Sequence, residues 1–130
     1  MIVIDASAMI ELLLVTPAAM RVEERILSSG ETLHAPHILD LEVAQVLRRY
    51  CASGDMTAER ASEALSDLTV LGVVRYPHDL FLSRIWELRH NVTAYDAAYV
   101  ALAEELSAPL LTRDRRLAAA SGHQAIVEVF

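Results

Sequence analysis

The sequence predicts an α/β fold in which helices cover both faces of a central parallel sheet of four to five strands. The main observation is that short apolar runs alternate with amphipathic helical patterns along the whole chain, which is typical of βαβ units. The second is size, because 130 residues with 54% hydrophobic side chains suffice for one well-buried core. We therefore expect a single three-layer α/β/α domain over residues 1–130, without internal repeats or linkers.

The first third of the chain contains two predicted strands separated by two predicted helices. Continuous apolar residues favour a buried strand over Met1–Ile4, and the following ASAMIELLL favours a helix over residues 6–14. After a proline, residues 18–30 form a helical pattern that stops at Ser-Ser-Gly, with its inward positions expected at Met20, Ile26 and Leu27. ETLHAP, residues 31–36, is typical of a short strand that ends at proline.

The middle of the chain adds three helices and a third strand. Residues 37–54 are strongly amphipathic and end at glycine, which predicts a long helix. Thr57 is a suitable cap for a helix over residues 57–72. VVRYP then predicts a strand over residues 73–77, and DLFLSRIWELRH predicts one continuous helix over residues 79–90.

The last third repeats the alternation. Thr93 opens an alanine-rich helix over residues 93–107, and APLLTRD predicts a strand that leads to an aspartate at residue 114. RRLAAASGH predicts a short helix over residues 115–123, and AIVEVF predicts a final strand over residues 125–130.

Composition excludes several classes of site. With one cysteine, the chain can form no internal disulfide and no cysteine-based zinc site. All 11 positive charges are arginine, so a P-loop lysine and a Schiff-base lysine are excluded. The net charge of −7 argues against general coating of nucleic acid, but it fits a chain that gathers acids to hold a divalent cation. Without a long apolar run or a basic segment before the first strand, we expect a cytoplasmic protein.

Four carboxylates occupy positions where the pattern calls for an apolar residue or where a strand ends. Asp5 directly follows the first strand, and Asp114 follows L-L-T-R. Glu42 shares a helical stripe with apolar residues, and Asp96 opens the alanine-rich helix on its apolar side. Sites in parallel α/β sheets lie beyond the carboxyl ends of the strands, so Asp5 and Asp114 should meet if their strands are neighbours.

Each of these acids also has an ordinary structural interpretation. Asp5 and Asp114 can cap the helices that follow them. Glu42 can pair with Arg49 or Arg48 at the edge of its stripe, and Asp96 suits the first turn of a helix. Several clustered carboxylates, however, raise one another's pKa unless a cation is present. Together they predict a site for one or two Mg²⁺ or Mn²⁺ ions, which oxygen ligands bind.

The order of the motifs resembles the PIN-domain ribonucleases, and most closely the VapC-type toxins of bacterial toxin–antitoxin (VapBC) pairs. The motifs are V-I-D-A-S, H-I-L-D-L-E-V-A, T-A-Y-D-A-A-Y-V-A-L-A and L-L-T-R-D-R-R-L, and they span essentially the whole chain. The residues that match the family's catalytic, metal-binding acids are Asp5, Glu42, Asp96 and Asp114. Ser7 and Thr112 match supporting hydroxyl positions. A further acid of some members is Leu117 here, which argues against a full second metal site.

The resemblance implies an Mg²⁺- or Mn²⁺-dependent endoribonuclease that cleaves structured RNA, such as tRNA or rRNA, and inhibits translation. Hydrolysis by metal-activated water would leave a 5′-phosphate and a 3′-hydroxyl. The resemblance also implies a homodimer and a VapB-type antitoxin whose C-terminal segment covers the active site, often with an arginine. An acidic site suits that partner electrostatically.

Other residues have less specific patterns. Arg113, Arg115 and Arg116 surround the last aspartate and could hold RNA phosphates; the alternatives are a solvated helix start or salt bridges to neighbouring acids. His34 and His37 have metal-like spacing, but we expect a surface role for both. Phe81 and Trp86 are expected in the core or a dimer interface, and Tyr95 and Tyr99 are expected to pack.

Three alternatives to a toxin remain. A PIN-domain nuclease of RNA processing would have the same acids and no antitoxin, and a PIN domain retained only for binding is disfavoured because all four acids are present. A receiver-like signalling module would need adjacent early acids and a late lysine, which the chain lacks. A phosphatase of the haloacid dehalogenase type would need D-x-D after the first strand, where this chain has D-A-S.

Overall fold

The computed structural model describes residues 1–130 apart from the side chain of Ser29. The strands are β1 (Ile2–Ile4), β2 (Leu33–Pro36), β3 (Val74–Tyr76), β4 (Leu110–Thr112) and β5 (Val127–Val129). The helices are α1 (Ala6–Leu14), α2 (Ala19–Ser29), α3 (Ile38–Ala52), α4 (Ala58–Val70), α5 (Leu82–Glu87), α6 (Ala94–Leu106) and α7 (Arg115–Ala119), with a 3-10 helix over His78–Phe81.

In the described part of the chain, five parallel strands form one sheet in the order β3-β2-β1-β4-β5. The predicted α/β fold with a parallel sheet of four to five strands is therefore confirmed. β1 pairs with β2 on one side and with β4 on the other, where Ile4 lies opposite Leu111. The chain first builds the sheet from β1 towards β3 and then adds β4 beyond β1. The switch point of the sheet thus lies between β1 and β4, where ligand sites of open α/β sheets form.

Helices pack on both faces of this sheet. The connections before β3 and the connection from β3 to β4 run in opposite directions, so right-handed crossovers place their helices on opposite faces. α1 to α4 form one layer, and α6 covers β1, β2 and β4 on the other face together with α5. Residues 97–103 of α6 are all buried, and the four alanines among them let this helix lie close to the sheet.

The inward face of α2 differs from the expectation. Met20 and Leu27 are 74% and 71% exposed, whereas Ala19 and Val22 are buried and Ile26 is half-buried. Both sets of residues have helical spacing, so periodicity alone could not separate them. The set with the shorter side chains packs against α1, because the two helices are close neighbours.

The segment predicted as a helix over residues 79–90 is divided into two helical types and ends three residues earlier than expected. It begins as the 3-10 helix, becomes α5 and ends at Glu87, after which turns continue to residue 92. The ring of Phe81 is buried, but Trp86 is 68% exposed and is not a core residue. The guanidinium of Arg89, in the turn, lies 4.8 Å from the centre of the Trp86 ring.

His34 does not have the expected surface role. It lies in β2 with 5% of its surface exposed, and its ring nitrogens are 2.7 Å from Thr32 Oγ1 and 2.9 Å from Tyr76 Oη. Burial lowers the pKa of this imidazole, which keeps it neutral within the sheet. His37 is exposed, as expected. Among the described residues, none of the helices is both long and apolar enough to cross a bilayer.

Candidate active site at the carboxyl edge of the sheet

Asp5 stands at the carboxyl end of the central strand. Its backbone N–H donates to Leu111 O at 3.1 Å, which continues the pairing of β1 with β4. Its side chain caps α1, because Oδ1 accepts from the Ala8 backbone N–H at 2.9 Å and from Ser7 Oγ at 2.6 Å. The other oxygen, Oδ2, accepts neither of these bonds. Capping therefore uses one oxygen of Asp5, and the structural and functional interpretations are compatible.

Two hydroxyl groups connect the end of β1 to the end of β4. Ser7 Oγ gives its proton to Asp5 and accepts from the Arg113 backbone N–H at 2.8 Å. Thr112, which is fully buried, lies 3.4 Å from Ser7 Oγ and accepts from the Asp114 backbone N–H at 2.9 Å. These contacts fix the relative positions of the two strand ends, and so of Asp5 and Asp114.

Asp114 lies at the start of α7 and caps it. Its Oδ1 accepts from the Arg116 backbone N–H at 2.8 Å, and Nε of the same arginine lies 3.6 Å away. The carboxylate is 38% exposed, so water has access to it. Like Asp5, it combines a capping role with a position at the strand end.

Glu42 projects from α3 and is bound by a buried tyrosine. Tyr99 on α6 is 1% exposed, and its hydroxyl donates to Glu42 Oε2 at 2.6 Å. Burial and the nearby carboxylate raise the pKa of the Tyr99 phenol, so it remains a proton donor. Among the described residues, neither Arg49 nor Arg48 forms a hydrogen bond or ion pair with Glu42. The functional contact of Tyr99 was missed, although its place three residues after Asp96 puts both on one helix face.

Asp96 lies in the first turn of α6. The helix begins at Thr93, whose Oγ1 accepts from the Asp96 backbone N–H at 3.2 Å. The carboxylate of Asp96 is half-buried and extends from this capped turn.

These four carboxylates line one cavity of about 550 Å³, which we call the acidic cavity. Asp5 and Asp114 reach it from the two central strand ends, Glu42 from α3 and Asp96 from α6. Its other walls include Ser7, Tyr99 and apolar atoms of α3. Four distant parts of the sequence thus converge at the switch point of the sheet.

The acidic cavity holds its charges at a cost in free energy. Burial is the largest cause that raises the pKa of Asp5, Glu42 and Asp96. Repulsion adds to it, because Asp96 raises the pKa of Asp5 and of Glu42, and Asp114 raises that of Asp96. The bonds from Ser7 and Tyr99 act in the opposite direction. A cation in the cavity would offset both the free-energy cost of burying the ionised carboxylates and the repulsion between them.

The donor chemistry fits a hard divalent cation. In the part of the chain that the structure describes, no group of three or more His, Cys, Asp or Glu side chains is already gathered around a single point. Mg²⁺ commonly uses one or two carboxylates and keeps several waters, and a cavity of about 550 Å³ has room for such a hydrated ion. Leu117 is buried at 2% exposure, so its position contributes no further carboxylate.

The three arginines around Asp114 point in different directions. Arg116 lies beside the acids. Arg113 instead forms an ion pair with Glu11, with Nε 3.3 Å from Oε1, and donates to the backbone carbonyl of Phe130. Arg113 and Arg115 line a separate cavity of about 700 Å³ together with Arg21, which we call the rear cavity.

Comparison with known proteins agrees with this geometry. A family model described as PIN domain matches residues 2–122. Ribonuclease VapC1 of Mycobacterium tuberculosis is 46% identical over 121 residues, which cover 92% of this chain and 90% of that protein. The chain belongs to the PIN-domain family. Ribonuclease VapC12 of the same species is 42% identical and covers 99% of this PIN domain and 98% of its own length.

The solved structures share the fold. Mycobacterium tuberculosis VapC20, described as a Sarcin-Ricin loop cleaving toxin, superposes with a TM-score of 0.70 at 18% identity, covering 97% of this PIN domain and 98% of that chain. The resemblance inferred from the motifs is thus confirmed, and this chain is a VapC-type PIN domain. Family membership favours a PIN nuclease over the receiver and phosphatase alternatives.

Proposed function

We propose that this PIN domain is an Mg²⁺- or Mn²⁺-dependent endoribonuclease toxin that cleaves structured RNA, such as tRNA or rRNA, and so inhibits translation. The observation that carries the proposal is the convergence of Asp5, Glu42, Asp96 and Asp114 on one cavity at the switch point. The name Ribonuclease VapC, borne by relatives at 46% and 42% identity, supports RNA as the substrate.

Each group of the site has a task in this proposal. The four carboxylates would hold one or two divalent ions, with Asp5 and Asp114 fixed by the capping bonds of α1 and α7. Ser7 and Thr112 would keep the two strand ends in register with each other. A bound divalent ion would supply charge neutralisation at the scissile phosphate and a lowered pKa for a water molecule.

The reaction is a hydrolysis of one phosphodiester bond. The oxygen of a water molecule forms a bond to phosphorus, and the bond from phosphorus to the 3′ oxygen breaks. The products carry a 5′-phosphate and a 3′-hydroxyl, with the proton of the water passing to the leaving oxygen. Arg113, Arg115 and Arg116 are proposed contacts to RNA phosphates, where a guanidinium can bind two oxygens at once.

We also propose a protein partner of VapB type, a homodimer and a cytoplasmic location. The acidic cavity and the net charge of −7 favour a partner segment that brings an arginine into the site. Exposed apolar side chains such as Leu80, Leu82 and Trp86 offer a surface for a second copy of the chain. A PIN-domain nuclease of RNA processing would share the chemistry but would act without an antitoxin.

The test is to map new 5′ ends in total cellular RNA treated with the purified protein in Mg²⁺ or Mn²⁺. Asp96→Asn removes a ligand charge at constant volume, so it should fold normally and produce no cuts. Asp67→Asn makes the same change on the exposed face of α4 and should cut like the wild type. Discrete cuts lost with chelator and in Asp96→Asn would support the proposal. Cuts that persist in either control, or no cuts by metal-loaded protein, would refute it.

A further inference from the structure

A second groove adjoins the acidic cavity and shares two of its acids. This groove of about 500 Å³ is lined by residues 89–93 of the turn after α5, by Asp96 and Asp114, and by Arg116 and Leu117. We call it the arginine groove. Because Asp96 and Asp114 belong to both spaces, a strand whose phosphate lies in the acidic cavity would continue directly into the arginine groove.

Arg89 forms one side of the arginine groove and is held in place. Its guanidinium lies 4.8 Å from the centre of the Trp86 ring, and one of its terminal nitrogens donates to the Trp86 carbonyl at 2.9 Å. A guanidinium has five N–H groups, so this bond leaves donors for a further acceptor. A positioned, exposed arginine can bind an anion with less loss of side-chain entropy than a free one.

Arg116 also lines the arginine groove. Its side chain is 95% exposed, and Nε lies 3.6 Å from Asp114 Oδ1, which is a loose contact that another anion can replace. Arg89 and Arg116 thus line the same groove as Asp96 and Asp114, which repel a phosphate, and they provide the positive charge that a polyanion needs there.

The rear cavity has more arginines but a weaker case. None of the four acids lines it, and its Arg113 is already ion-paired with Glu11 and bound to the Phe130 carbonyl. A phosphate bound to Arg113 would compete with these contacts, so the first RNA contacts are sought in the groove that shares Asp96 and Asp114 with the acidic cavity.

We propose that the arginine groove binds the single-stranded RNA segment next to the cleaved bond, with its phosphates on Arg89 and Arg116. The inference rests on the proposed nuclease function and names the place where its substrate lies. Base-paired RNA holds its phosphates in a rigid A-form helix, whereas a single strand can adapt its backbone to separate arginine side chains in a groove.

The experiment measures binding without cleavage, using wild-type protein in chelator and a fluorescein-labelled 12-nucleotide single-stranded RNA. Loss of one phosphate contact should reduce the slope of log K against log salt by about 0.7, which is about fivefold in affinity at 0.1 M salt. We expect this loss for Arg89→Gln and for Arg116→Gln. Arg21→Gln, in the rear cavity, is the matched control and should bind like the wild type.

Trp86 gives a second readout, because it is the one tryptophan of the chain and touches Arg89. Unlabelled RNA should change its emission with the same midpoint as the anisotropy. A loss for Arg21→Gln that equals or exceeds that of the groove variants, or an unchanged Trp86 emission at saturation, would overturn the proposal. Cleavage without groove binding would refute the groove alone, whereas groove binding without metal-dependent cleavage would refute the nuclease alone.

Discussion

The buried bond between Tyr99 and Glu42 offers the sharpest test of how the acidic cavity is organised. Tyr99→Phe removes one oxygen and keeps the ring that fills the space between α6 and α3. A hydrogen bond to a charged group contributes about 1.5–3 kcal/mol. Because Glu42 is half-buried and water can reach it, the lower end applies. We expect a loss of about 1.5 kcal/mol in the free energy of unfolding at pH 7.5, or about 5 °C in Tm for a domain of this size.

The pH dependence of this loss has a defined sign. The Tyr99 hydroxyl lowers the pKa of Glu42 against the effect of burial, so its removal raises that pKa further. The loss should therefore be largest where Glu42 is ionised and should shrink as the pH falls towards 5. Groups that orient metal ligands typically contribute about 10–100-fold to metal affinity, so Mn²⁺ binding followed by electron paramagnetic resonance should weaken about tenfold.

Tyr95→Phe is the matched control, since it makes the same change four residues earlier on α6 at a side chain that is 61% exposed. It should alter the free energy of unfolding by less than about 0.5 kcal/mol. Equal effects of the two variants on urea unfolding and on Mn²⁺ affinity would show that the phenol does not organise the site.

Two further predictions concern the same cavity. Metal-free protein should resist urea better at pH 5 than at pH 7.5, because Asp5, Glu42 and Asp96 have raised pKa values. Their stabilising contribution is complete below the pKa values of the unfolded chain, near 4, and is lost as the pH rises through the folded values. A midpoint that falls on acidification to pH 5 would contradict this. Ser7→Ala should cost about 1.5–3 kcal/mol, since the Asp5 carboxylate loses a donor. In the same unfolding assay Ser66→Ala, on the exposed face of α4, should be near neutral.

The strand ends were predictable because they depend on the local sequence alone. Continuous apolar residues before Asp5 and before Asp114 marked buried parallel strands, and a carboxylate beside them is unusual. Those two strands are neighbours in the sheet, as the acid hypothesis required. Glu42 and Asp96 were found for a similar reason, since each interrupts an apolar helical stripe.

The features that the sequence did not reveal depend on contacts between distant segments. A tyrosine on a buried helical stripe is normally interpreted as a core packing residue. Only the packing of α3 near α6 makes the Tyr99 hydroxyl a hydrogen-bond partner of Glu42. The contact between Arg89 and Trp86 was not predicted, because the expected helix over residues 79–90 included Arg89, whereas the structure places Arg89 in the turn after α5. His34 was misjudged because its ring contacts Tyr76 on the neighbouring strand β3 and Thr32 just before β2, and periodicity cannot show such side-chain contacts.

The positions of Asp5 and Asp114 after different strands have a consequence for hydrogen exchange. The amide of Asp5 bonds to the neighbouring central strand, so it should exchange only when the whole domain opens. Asp114 instead begins the five-residue α7, which packs on the three-residue edge strand β5. Short elements at an edge open locally at lower free energy than a central strand. Local unfolding of α7 and β5 would therefore separate Asp114 from the other three acids of the acidic cavity while the rest of the domain stays folded.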